Sequence, residues 1–148
     1  SQNYGACKLE RIHDGYHKGV MVSILYGAFA CVVMVFFGRI LSMMFVSANE
    51  SQVLDASALY LRRMGYFFPV LGILITTRMS VQGLGYSARA MLAGFVEMIA
   101  RCIVALCFVP IFKYNAITWA DQAAWVAATL VLIPLWLSAM RAVQKKMS

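Results

Sequence analysis

Long uncharged runs alternate with short polar stretches along this chain, and the lengths of the runs set the elements. Val20 to Phe37 is eighteen residues without a charge, and the apolar character continues past Arg39 to Val46. A run of that length can cross a bilayer core of about 30 Å as a helix. A second apolar run lies in Tyr60 to Gly85, a third from Arg89 to Phe112, and Gln122 to Met140 is nineteen uncharged residues. The stretches between them read as connections. Ser1 to Lys18 holds Lys8, Glu10, Arg11, His13, Asp14, His17 and Lys18 and predicts a solvated loop; Ser47 to Ser57 (SANESQVLDAS) has turn and capping residues and no Lys or Arg. Gly83, Gly85 and Tyr86 end the second run, because glycine readily takes the left-handed conformation of a helix exit. Pro110 and Lys113 to Asn115 close the third, and Thr118 to Asp121 open the last. The pattern predicts an all-α integral membrane protein with four transmembrane helices, at 19–46, 58–85, 89–112 and 118–140. A cytoplasmic loop at 1–18, an extracellular loop at 47–57 and a cytoplasmic tail at 141–148 complete it.

The helix over 58–85 organises the rest. Gly65, Pro69, Gly72, Thr76, Ser80 and Gly83 recur at steps of four, three, four, four and three, which places them in one narrow stripe of a helix. In lipid, contact with another helix has no hydrophobic advantage over contact with acyl chains, so small residues in a row are what lets two backbones pack closely. Gly65, Pro69, Gly72 and Gly83 are therefore the candidate packing or hinge positions. Arg63, Phe67, Leu74 and Arg78 fall on the opposite face. Pro69 removes a backbone donor and predicts a kink near the middle of the span.

Composition sharpens the membrane reading. Of 148 residues, 62% are apolar and 13% charged, against roughly 45–50% and 25% in an average soluble domain. The net charge of +7 is not gathered on one soluble face, as nucleic-acid binding requires, but flanks apolar segments. By the excess of Lys and Arg in the first loop, in the third connection and in the tail, both termini are placed in the cytoplasm, with Arg62 and Arg63 counting against it. Trp125, Trp136 and the basic tail of Arg141, Lys145 and Lys146 suit a membrane interface.

Candidate chemistry is sparse. Cys7, Cys31, Cys102 and Cys107 form no C-x-x-C pair and read as packing residues kept as thiols. His13 and His17 are four apart but have no carboxylate or thiolate partner, so they read as surface residues and no metal is expected. No nucleophile with a base and no phosphate loop is present, so no catalytic residue and no cofactor are expected. Glu97 and Arg101 stand alone as ionisable residues deep in a span. Their spacing and order favour an intrahelical ion pair, which is either a functional site or a means of fixing one packing arrangement.

The pattern YLRR, YFFPVLGIL and QGLG between Tyr60 and Gly85 resembles a segment of the multidrug and toxin extrusion (MATE) transporters. QNYGACKLERI at Gln2 to Ile12 and FGRILSMMF at Phe37 to Phe45 are similar to two further motifs of that family, in the same order. Cys7 stands where the family usually has glycine and Tyr86 where it often has aspartate. The resemblance implies the last four helices of the C-terminal six-helix lobe of a twelve-helix secondary transporter in the bacterial inner (plasma) membrane. Such a protein exports organic cations in exchange for Na⁺ or H⁺. Its partners would be membrane lipid, the cationic substrate and the N-terminal remainder of the same transporter, with no nucleic acid. The chain begins with Ser1 and shows no signal segment, which reads as a piece of something longer. The carboxylates that couple such transporters lie mainly on helices outside this stretch, so none is assigned here. A flippase for lipid-linked sugars of the same superfamily and a four-helix membrane scaffold are the alternatives.

Overall fold

The computed structural model describes residues 2–47 and 49–147. Ser1, Ala48 and Ser148, which fall in the expected N-terminal segment, the 47–57 loop and the tail, lie outside the described residues. The elements are α1 (Gln2–Gly5), α2 (Leu9–Met43), α3 (Ser51–Tyr66), α4 (Phe68–Gly83), α5 (Ser87–Ile103), a π-helical turn (Val104–Phe108), α6 (Val109–Phe112) and α7 (Tyr114–Met147). Among the described residues there is no strand. The helix α2, the continuous run Ser87–Phe112 and α7 are each long and apolar enough to cross a membrane. Helices α3 and α4 qualify together as a fourth span, bent by 52° at its break. The fold is all-helical and built for a membrane.

Three boundaries differ from the sequence expectation: α7 runs on to Met147 through the expected tail, and two helices start early for identifiable reasons. Helix α2 starts at Leu9, inside the segment read as a loop, and its 35 residues reach about 52 Å at 1.5 Å per residue, well beyond a bilayer core. Leu9, Ile12 and Tyr16 recur on one side of this extension and pack onto the core. Asp14 and Lys18 pair at 2.7 Å on its exposed side. The polar composition concealed an amphipathic helix. Helix α3 likewise begins at Ser51, within the expected extracellular loop, and Arg39 near the end of α2 meets its Asp55 at 3.1 Å.

The expected kink in the second span is a complete break. Phe67 separates the two halves with φ −101° and ψ 3°, and Pro69 falls in the first turn of α4. Proline in a helix interior costs a hydrogen bond and crowds the preceding turn, a cost α7 bears at Pro134, but in a first turn its missing N–H has no partner to lose. The chain therefore restarts a helix at Phe68.

The core lies where α4, α5 and α7 meet. Leu74, Val81 and Leu84 pack there against Ala90 and Ala93 and against a stripe of α7 that includes Ala128, Leu132, Trp136, Ala139 and Val143. Alanine on α7 lets the helices come close, and the large side chains fill the spaces between. Leu74 is buried in this core, so α4 packs on both faces. Trp125 and Trp136 are buried as well, so whatever their depth in the bilayer they face the protein and not lipid. Trp119, 44% exposed, is the tryptophan of α7 that reaches the surface.

Tight turns join the elements. Gly85 takes φ +87° between α4 and α5, a conformation that costs a glycine little. Cys7 takes φ +53° between α1 and α2, the conformation for which glycine is suited, at the position where the resembling family usually carries glycine. A left-handed non-glycine residue costs roughly 1–2 kcal/mol, and glycine loses about 0.5–1 kcal/mol in chain entropy. Cys7→Gly should therefore stabilise the protein by about 0.5–1 kcal/mol. A thermal melt in detergent checks this, and a lower midpoint would mean that the thiol makes a compensating contact.

Candidate functional site

The broken span is held from one side by α2. The two run antiparallel, and the places of closest approach are glycines. A Cβ built on Gly27 would lie 2.7 Å from the Cα of Pro69, and one on Gly72 would lie 2.8 Å from the carbonyl oxygen of Ser23. One on Gly65 would meet the Cβ of Met34 at 3.0 Å, and one on Gly19 the Cγ2 of Thr76 at 3.2 Å. Between them the Ser23 and Thr76 hydroxyls lie 2.5 Å apart. Gly65, Pro69 and Gly72 thus share one seam with α2. Gly83 does not belong to it and instead borders a cavity with Tyr4, Arg11 and Trp136. The partner stripe, Gly19, Ser23, Gly27 and Cys31 at uniform steps of four, was visible in the sequence as small residues at helical spacing.

The other side of the broken span carries charge. Arg78 of α4 donates through Nη2 to Glu97 Oε1 of α5. Arg101 lies one turn on, with its Nη2 3.7 Å from Glu97 Oε2 and its Nε 2.9 Å from Asp121 Oδ1 of α7. The hydroxyl of Tyr60 on α3 donates to Asp121 Oδ2 at 2.9 Å. The expected Glu97–Arg101 pair is thus the weaker, middle contact of a ladder that runs Arg78, Glu97, Arg101, Asp121 and Tyr60. Two cations face two anions and the ladder is formally neutral. Its end members escaped sequence reasoning because Arg78 to Glu97 and Arg101 to Asp121 bridge different helices, nineteen and twenty residues apart.

The side chain of Glu97 is 12% exposed and that of Arg78 25%, so neither can exchange its partner freely for water. Beside the ladder, Arg63 donates to Asn115 Oδ1 at 3.1 Å and to the Thr118 hydroxyl, with its guanidinium 5.4 Å from the Trp119 ring centre. Gln122, next to Asp121, is 1% exposed. Among the described residues neither its amide nitrogen nor its oxygen has a hydrogen-bond partner.

The other candidates take no part. His13 and His17 stack on each other at 6.2 Å, and His13 meets the edge of Trp136 at 5.7 Å. Cys7, Cys31, Cys102 and Cys107 are free thiols.

The family model described as MatE matches residues 1–107 of this chain. No curated protein and no solved structure gives a match to it. The matched residues include the seam, Arg78, Glu97 and Arg101, and end before α7.

The seam and the ladder each make a prediction. Gly72→Leu should lower folded yield in detergent severalfold, whereas Gly94→Leu, where an added Cβ meets nothing within 4 Å, should leave it unchanged. Equal yields would dismiss the seam. For the ladder, Glu97→Gln strands Arg78 and should destabilise by about 2–4 kcal/mol. Arg78→Gln added to it should restore more stability than Arg101→Gln, since Arg101 keeps Asp121. Double-mutant cycles of thermal unfolding measure the two couplings, and the reverse order would show the Glu97–Arg101 contact to be the dominant one.

Proposed function

This chain belongs to the MatE family of membrane transporters, and from that premise we propose that it serves as the closing part of the C-terminal lobe of a secondary antiporter. The antiporter exports organic cations in exchange for Na⁺ or H⁺ across the plasma membrane. The observation that carries this reading is the break at Phe67 beside a neutral ladder of charges, partly buried at its Arg78–Glu97 end. Broken helices near the midplane are where such transporters form binding sites, and alternating access comes from rocking of bundles around them.

The ladder supplies a way to link ion binding to movement. A proton or Na⁺ taken by Glu97 would weaken its hold on Arg78, and so loosen α4 from α5. The same event at Asp121 would free Tyr60 and loosen α3 from α7. Both halves of the broken span thus answer to carboxylates on the α5–α7 side. The end of the bundle where α2 begins and α7 ends carries Lys8, Lys18, Arg89, Arg141 and Lys146, which favours placing that end in the cytoplasm.

The test uses cells lacking their own exporters. The protein in its full encoded length should lower ethidium retention, the effect should vanish when the Na⁺ and H⁺ gradients are collapsed, and Glu97→Gln should reduce it at least tenfold. This stretch alone should leave retention unchanged, because it offers no second bundle to rock against. Transport of a lipid-linked sugar with no ethidium efflux would assign the protein to the flippases instead.

A further inference from the structure

A cavity of about 460 Å³ lies apart from the ladder, between the α1–α2 corner, the second half of α4 and Trp136 of α7. Its walls differ in character. Asn3, Tyr4 and Arg11 form a polar wall, while Ile75 and Met79 form an apolar one. Arg11 is the one formally charged residue in the lining. It is exposed, and among the described residues no hydrogen bond or ion pair engages it.

The level of the cavity is set by its aromatic residues. Tyr16 stacks on Trp136 with ring centres 3.9 Å apart, just before the uncharged run that begins at Val20. Tyrosine and tryptophan at that position mark the headgroup layer of a bilayer. From there Ile75 and Met79, 45% and 61% exposed, continue the apolar wall down the flank of α4 toward the hydrocarbon.

An occupant must match an unpaired cation at one end and an apolar flank at the other. A cationic substrate is disfavoured, because the lining offers it no anion. A free inorganic anion would use the arginine and leave the apolar wall without a partner. We propose that this cavity holds an anionic phospholipid, with its phosphate against Arg11 and an acyl chain along Ile75 and Met79. Basic pockets between membrane helices suit acidic headgroups for the same electrostatic reason, and this end of the bundle is rich in Lys and Arg.

The test titrates the protein, purified in its full encoded length in detergent, with phosphatidylglycerol or with phosphatidylcholine of the same acyl chains. Native mass spectrometry reads the lipid retained. Phosphatidylglycerol should be preferred by about fivefold, the effect expected of one well-placed basic residue. Arg11→Gln should abolish that preference. Lys18→Gln, which removes the same charge from a residue paired with Asp14 and outside the lining, should keep it.

A second variant covers misfolding of the first. Gly15 lines the cavity and an added Cβ there meets nothing within 4 Å, so Gly15→Leu should fold normally, keep its melting point and lose the preference by filling the space. Millimolar inorganic phosphate should not displace the lipid. The proposal is overturned if Arg11→Gln and Gly15→Leu both keep the preference, if Lys18→Gln loses it equally, or if inorganic phosphate competes the lipid away.

Discussion

Close approach of backbones is the constraint on which this structure depends. Inside a bilayer, leucine gains nothing by touching another helix rather than an acyl chain, so contact must come from backbones near enough for dispersion and short polar contacts to act. Helix α2 shows the consequence, since only 6% of its most apolar window is buried in the structure and yet its position on α3 and α4 is defined. What fixes it is a line of positions with little or no side chain. The alanines of α7 do the same on the opposite side of α4, with larger side chains filling between them.

Charge then decides which arrangement of closely packed helices is kept. An isolated ionised residue at the centre of a membrane helix costs about 2.5–3.5 kcal/mol on insertion scales, whereas a side-chain hydrogen bond between membrane helices averages about 0.6 kcal/mol. Against those magnitudes the Ser23–Thr76 contact is a small term and the ladder a large one. Every carboxylate and guanidinium in the ladder has a partner on another helix, so shifting α4 or α7 by one turn would strand a charge. The seam sets how closely α2 approaches the broken span; the ladder, which has no member on α2, sets the register of α3, α4, α5 and α7.

The sequence disclosed the spans and the stripe, because both are periodic signals carried by a single helix. The apolar runs overlap every span, but the helices run on into the polar stretches, α2 from Leu9, α3 from Ser51 and α7 to Met147, because exposed charges masked faces such as Leu9, Ile12 and Tyr16. The break at Phe67 was harder to see. A proline in an apolar run announces a disturbance, but whether the helix bends or restarts depends on a neighbour able to accommodate it, and here that neighbour is Gly27, forty residues earlier. The ladder was half legible for a related reason: Glu97 and Arg101 share a helix, while Arg78 and Asp121 become their partners only through tertiary packing. Tryptophan told the depth of a helix but not its facing: Trp125 and Trp136 turn inward and fill the core, which no periodic signal in α7 announced.

The distances along the seam have a mechanical consequence. A Cβ on Gly27 would come closest to the broken span at Pro69, right beside the break, and the approach is looser toward either end, at 3.2 Å for Gly19 and 3.5 Å for Gly38. Were the two half-helices to swing, Gly27 would be the fulcrum and they its arms. Each arm has 16 residues, about 24 Å, so a swing of 10° about the pivot carries its tip by about 4 Å while the contact at the pivot is unchanged. Leverage of this kind would separate a tight point from longer-reaching ends, with a glycine, which has no side chain to obstruct rotation, at the bearing.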